Sequence, residues 1–140
     1  MGFLSTEDYK AVCGDDALDV IQQSDDNNRQ RAQGYAIEEV SSYLRSRYDI
    51  AAAFAAEGEA RNAQLVMITC DVALYHLASW LAKRSGFEIR QLRYERAIKW
   101  LESVQKGIAS PDLPLITDST GNDIGNPVRW GSWGKNSYEY

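Results

Sequence analysis

Histidine occurs once in these 140 residues, cysteine and methionine twice each and proline three times, and no apolar run approaches the roughly 20 residues a membrane-spanning helix needs. A single histidine, His76, is thin material for acid–base or metal chemistry. Its neighbours Asp71 and Tyr75 are not spaced to share its helix face, whereas Val72, four residues earlier, is, so a structural or surface role is expected of it. Cys13 and Cys70 lie far apart with no CxxC or Cys/His cluster around either. Both read as small buried hydrophobes with free thiols rather than as a disulfide or a metal site. Walker A, GxGxxG, GxSxG and EF-hand patterns are all missing. The adjacent carboxylates Asp15-Asp16, Asp25-Asp26 and Glu38-Glu39 would diverge on a helix and read as caps and solvated faces. No enzyme activity, cofactor or metal is therefore expected.

Excess positive charge is missing too. The net charge is -5 and the pI is near 4.9, which argues against a broad basic face that grips nucleic acid. A surface beside which DNA slides without sticking is compatible with both values. The opening Met1 to Glu7 lacks the basic and apolar regions of a secretory signal, so the protein is expected to stay where it is made. A hydrophobic content of 44% and one-domain length allow a single modest core.

What is present is helical rhythm. Ser5-Thr6-Glu7-Asp8 places a hydroxyl cap before first-turn carboxylates, and Gly14 stops a short helix carrying Tyr9, Val12 and Cys13. Leu18 and Ile21 allow a second short turn over Asp15 to Ile21. The spacing of Ala32, Ala36, Val40, Tyr43, Leu44 and Arg47 predicts a long amphipathic helix from about Asn27 to Arg47, about 30 Å long, with Gly34 its weak position. Asp49 to Gly58 is apolar around Ile50 and Phe54. It reads either as more helix packed on the core or as a loop meeting a neighbouring subunit.

Glu59 to Arg84 is apolar on more than one face, through Leu65, Ile68, Val72, Leu77 and Trp80 among others, which predicts the central helix. Ser85-Gly86 breaks it. A further helix is predicted from Phe87 to Lys106, with Ile89, Leu92, Ala97, Ile98, Leu101 and Val104 inward and Gly107 as its C-cap. On that helix Arg90, Arg93, Arg96 and Lys99, with Arg84 before them, are interleaved with Glu88, Glu95 and Glu102. A salt-bridged exposed face explains them better than a DNA site. Pro111 and Pro114 end the helical region. The expected fold is all-α, a small bundle of about four to five helices over residues 1–115 with an extended, irregular C-terminal tail over 116–140.

That tail is turn-rich from Thr117 to Pro127, yet it holds two of the four tryptophans and two of the eight tyrosines. Trp130 and Trp133 must either fold back on their own subunit or dock on another. In the second case Val128, Arg129, Trp130, Trp133, Tyr138 and Tyr140 form the interface, with aromatic anchors and rim charges that include Lys135.

Two segments carry a family resemblance. Ser42-Tyr43-Leu44-Arg45-Ser46-Arg47-Tyr48 at the exit of the long helix, and Tyr94-Glu95-Arg96-Ala97-Ile98-Lys99-Trp100-Leu101 closed by Gly107, resemble the phage head-tail connector, or adaptor, proteins near the Mu-like prophage branch. The similarity spans about residues 3 to 115. It departs from the usual pattern after Tyr48, where Asp49-Ile50 and alanines replace frequent prolines. The resemblance implies a virion neck protein, made in the host bacterial cytoplasm, that forms a ring, commonly twelvefold, between the portal protein and the tail or a second adaptor. DNA would pass through the channel without specific binding, no membrane would be involved, and Val128 to Tyr140 would dock on the portal or on neighbouring copies. Ile50 and Phe54 are further candidates for subunit or tail contact. A helical module binding one protein partner without a ring is the alternative. A His76-based enzyme ranks behind both.

Overall fold

The computed structural model describes residues 3–14, 26–79 and 87–117. The short turn expected over Asp15 to Ile21, the break at Ser85-Gly86, and the tail residues Val128, Arg129, Trp130, Trp133, Tyr138 and Tyr140 lie outside the described residues.

Ser5 opens α1 (Thr6–Cys13) through a reciprocal box. Its hydroxyl accepts from the Asp8 amide at 3.2 Å, and the Asp8 carboxylate accepts from the Ser5 amide at 2.7 Å. Two of the donors that a helix start leaves unpaired are thereby satisfied. Gly14 follows at φ 85°, ending α1 where the sequence predicts.

α2 (Asp26–Leu44) buries Ala32, Ala36, Val40 and Leu44, one residue per turn along a single stripe. It ends at Leu44 rather than continuing to Arg47. The backbone amides of Arg47 and Tyr48 both turn back to the Leu44 carbonyl, and the Arg47 carbonyl accepts instead from Ile116 at 3.1 Å. The open question over Asp49 to Gly58 resolves as helix. Asp49 caps α3 (Ile50–Ala55) by accepting from the Ala52 amide at 3.1 Å, and a 3-10 turn follows over Gly58–Ala60.

Asn62 caps α4 (Ala63–Ser79), its side-chain oxygen accepting from the Leu65 amide at 2.9 Å. α4 is the central helix, as predicted, but it starts at Ala63 rather than Glu59, and Trp80 and Arg84 lie outside the described residues: Leu65, Ile68, Cys70, Val72, Leu74 and Leu77 are all buried, and α1, α2 and α5 each pack on it. α5 (Phe87–Gln105) closes with Gly107 at φ 83°. The Ile108 amide reaches the Ser103 carbonyl at 2.8 Å and the Gly107 amide the Val104 carbonyl at 3.0 Å, the paired bonds of a Schellman stop.

The inward face of α5 differs from expectation. Ala97, Leu101 and Val104 are buried and Ile98 packs partly on the core, but Ile89 and Leu92 are 47% and 51% exposed, and Arg90 is buried in their place. The packed stripe runs Arg90, Tyr94, Ala97, Leu101, Val104, a strict alternation of four and three. Ile89 and Leu92 fall on the next face round. The exit segment is tied to the body. Leu115 bridges Tyr48 in antiparallel fashion, the Asp49 amide donates to the Pro114 carbonyl at 2.8 Å, and Asn62 donates to the Asp112 carbonyl at 3.0 Å. Among the described residues the architecture is an all-α bundle of five α-helices with that one isolated bridge.

Candidate functional site

Three long helices meet at Glu39. One carboxylate oxygen is 2.9 Å from His76 Nε2 of α4, and the other accepts from the Tyr94 hydroxyl of α5 at 2.5 Å. Tyr94 stacks on Tyr75 with ring centroids 4.1 Å apart, while Tyr35 and His76 meet edge to face. Burial, followed by the bonded Glu39 carboxylate, raises the Tyr94 phenol well above its ordinary value, so it stays protonated and donates. His76 thus finds its partner on another helix rather than among its own helical neighbours. Glu39 is not the plain solvated carboxylate expected of the Glu38-Glu39 pair. Glu38 is, since it forms an exposed ion pair with Arg45 at 2.8 Å.

A second polar tie joins α4 to α5. Arg93 grips Asp71 with both forks, at 2.7 and 3.2 Å. Burial raises the Asp71 carboxyl, and outweighs the Arg93 hydrogen bonds that pull it down. The expected exposed, salt-bridged basic face is therefore split. Arg90 lies inside, with Nη1 lacking a hydrogen-bond partner among the described residues, and Arg93 is spent on Asp71. Arg96 and Lys99 remain at the surface.

Beside this pair lies an open groove of about 210 Å³. Met67, Ile68 and Asp71 of α4 form one wall, and Arg93, Arg96 and Trp100 of α5 form the other. Arg96 makes no ion pair among the described residues, and Met67 is 40% exposed. Leu92 lies one turn before Arg96, and Ile89 one turn before Arg93, so both extend the apolar rim along α5. The opposite flank of α5 carries Glu88, Glu95 and Glu102 at seven-residue intervals, all exposed. One helix therefore shows solvent two unlike sides.

A third tie lies at the N-terminal edge. Arg61 bonds Asp8 at 2.6 Å and also donates to the carbonyls of Phe3 and Gly58, both at 2.9 Å. Burial works against the Asp8 carboxylate, but the bonds from Arg61 and Ser5 prevail and hold its pKa below the ordinary value. Nothing in the sequence marks Arg61 as Asp8's partner, because 53 residues separate them.

Of the predicted contact residues, Phe54 packs edge to face on Phe3 with centroids 4.8 Å apart, and Ile50 is half-buried against the core. What α3 shows to solvent is Ala51, Ala52 and Ala55. Cys70 is fully buried as expected, whereas Cys13 is only half-buried, and burial pushes both thiols up. Among the described residues no cluster of His, Cys, Asp and Glu could hold a metal ion, and no helix is long and apolar enough to cross a membrane. The aromatic network was missed because each of its members looks like ordinary helix surface or core until three helices are brought together.

A search of curated proteins finds no match. The sequence model of the family described as Bacteriophage Mu, Gp36 matches residues 4–125. The chain belongs to that family and is a protein of Mu-like phages.

Proposed function

Starting from membership of a phage Mu family, we propose that the protein is a non-enzymatic structural component of the virion neck, a connector that forms a ring between the portal protein and the tail. The observation that carries the reading is the family match across the whole helical body, from residue 4 past the last described residue. The fold supports it. Side-chain bonds from Glu39, Asp71 and Arg61 tie separate segments together, while unlike charged and apolar flanks are left at the surface. Such a molecule acts through shape and assembly. The net charge of -5, repeated around a ring, would repel the DNA backbone and limit adhesion during packaging and ejection.

The tail beyond Thr117 is assigned to docking on the portal or an adjacent copy, with Trp130 and Trp133 as anchors. The test is complementation of a phage lacking the gene. Without it, DNA-filled heads and free tails should accumulate unjoined. Full-length protein should restore whole particles, and a version ending at Thr117, which keeps the Tyr48–Leu115 bridge and the Ile116–Arg47 bond, should not. Whole particles in the absence of the gene would refute the connector role. Full rescue by the shortened chain would remove the docking role of the tail.

A further inference from the structure

We propose that the groove between α4 and α5 receives the acidic flank of α5 from the next copy, making this the subunit contact of the ring; the proposal rests on the ring reading above. The observations come from two sides of one helix. On one side Arg96 stands exposed and without an ion pair among the described residues, beside Met67 and Trp100, although its charge is felt by Asp71 across the groove. On the other, Glu88, Glu95 and Glu102 form a straight line, and none of them makes an ion pair among the described residues. Glu95 accepts only a 3.4 Å bond from Gln91. Lys99 and Lys106, each four residues after Glu95 and Glu102, lie on the same flank and are exposed, so three carboxylates against two ammoniums leave it net negative by one.

The half-apolar groove and the acidic line are complementary in charge, and they face different directions. A surface of one kind meeting a surface of the other kind is a heterologous contact. Repeated, it closes into a ring when the rotation between copies permits, and it leaves no copy with an unmatched side. The apolar rim also has a use in this arrangement. Ile89 and Leu92, which the bundle leaves exposed, would be covered by the long aliphatic parts of the neighbour's flank. Arg93 takes no direct part, because Asp71 already holds it, and it instead fixes the wall on which Arg96 and Trp100 stand.

The experiment is charge reversal read by particle imaging in the presence of the portal protein. Arg96→Glu alone, and Glu95→Lys with Glu102→Lys as a second variant, should each lose ring particles by roughly tenfold or more, since like charges set against each other across an interface are strongly disfavoured. All three positions are exposed, so circular dichroism and thermal melting should match the wild type. A one-to-one mixture of the two variants should regain rings, because each supplies what the other's surface now needs. The chain carrying all three changes should also regain them. Wild-type-like rings from both separate variants would overturn the contact while leaving the ring reading intact. Loss in both without recovery in the mixture or in the combined chain would also overturn it. Absence of rings from the wild type would bring down the ring reading and this contact together.

Discussion

At the scale of single residues, two carboxylates, half-buried Asp8 and buried Asp71, respond to acid in opposite directions. Asp8 is held low by Arg61 and Ser5. Its contribution to stability is complete above the unfolded value near 4 and is lost as pH falls through the lower folded value. Asp71 is raised by burial, so it costs stability above its folded value, and that cost fades as pH falls toward the unfolded one. Asp8→Asn should therefore lower stability at pH 7 by about 1 to 2 kcal/mol, the scale of hydrogen bonds to a charged group. It should also flatten the loss of stability below about pH 4. Urea unfolding at a series of pH values would read both effects, and an unchanged acid limb would show that Asp8 is not the group responsible. The sequence does announce half of this arrangement, since Ser5 and Asp8 form a recognisable cap. The Arg61 half depends on a contact between distant segments, which no local pattern encodes.

At the scale of elements, helix stops were readable and helix faces less so. Gly14 and Gly107 both adopt positive φ, and each ends its helix where its position in the apolar rhythm predicts. Gly107 is constrained by its φ of 83°, and an added Cβ would only touch, at 3.4 Å, the Arg47 guanidinium whose Nη1 donates to the Val104 carbonyl at 2.8 Å. Gly34 lies mid-helix with open space where a Cβ would go. Alanine at the two sites should thus act in opposite senses: Gly107→Ala should destabilise by about 1 to 2 kcal/mol, and Gly34→Ala should stabilise by about 0.5 to 1 kcal/mol. Thermal melts of the pair would check this, and matching shifts in one direction would contradict it.

The inward face of α5 departs from the sequence expectation for a physical reason. Residue type places an arginine outside and isoleucine and leucine inside, whereas the four-and-three spacing of Ala97, Leu101 and Val104 extends back through Tyr94 to Arg90. The position of the buried stripe outweighs residue type when a long side chain can be accommodated. The alanine-rich segment from Asp49 suits either a short helix or a surface loop by sequence alone. The Asp49 cap and the Phe3–Phe54 contact decide it, and the second of these is a contact between distant parts of the chain.

At the scale of the whole molecule, the bundle was legible from periodicity because one central helix, α4, is apolar on several faces and the others are amphipathic around it. What periodicity did not reveal is the Glu39, His76 and Tyr94 junction, whose residues come from three helices and carry no shared local signature. The two flanks of α5 were present in the sequence as interleaved charges, but they read as one salt-bridged face until the register was known.

The most direct test of a ring-forming connector is therefore the mass of the complex formed by the full-length chain and the portal protein, measured by mass photometry across a titration. The account predicts a jump to one heavy species that carries many copies of the 15.7 kDa chain on each portal ring, with no stable state of a single added copy. A series of complexes growing one independent copy at a time, or saturation at a single copy, would contradict it and favour a protein that binds its partner without forming a ring.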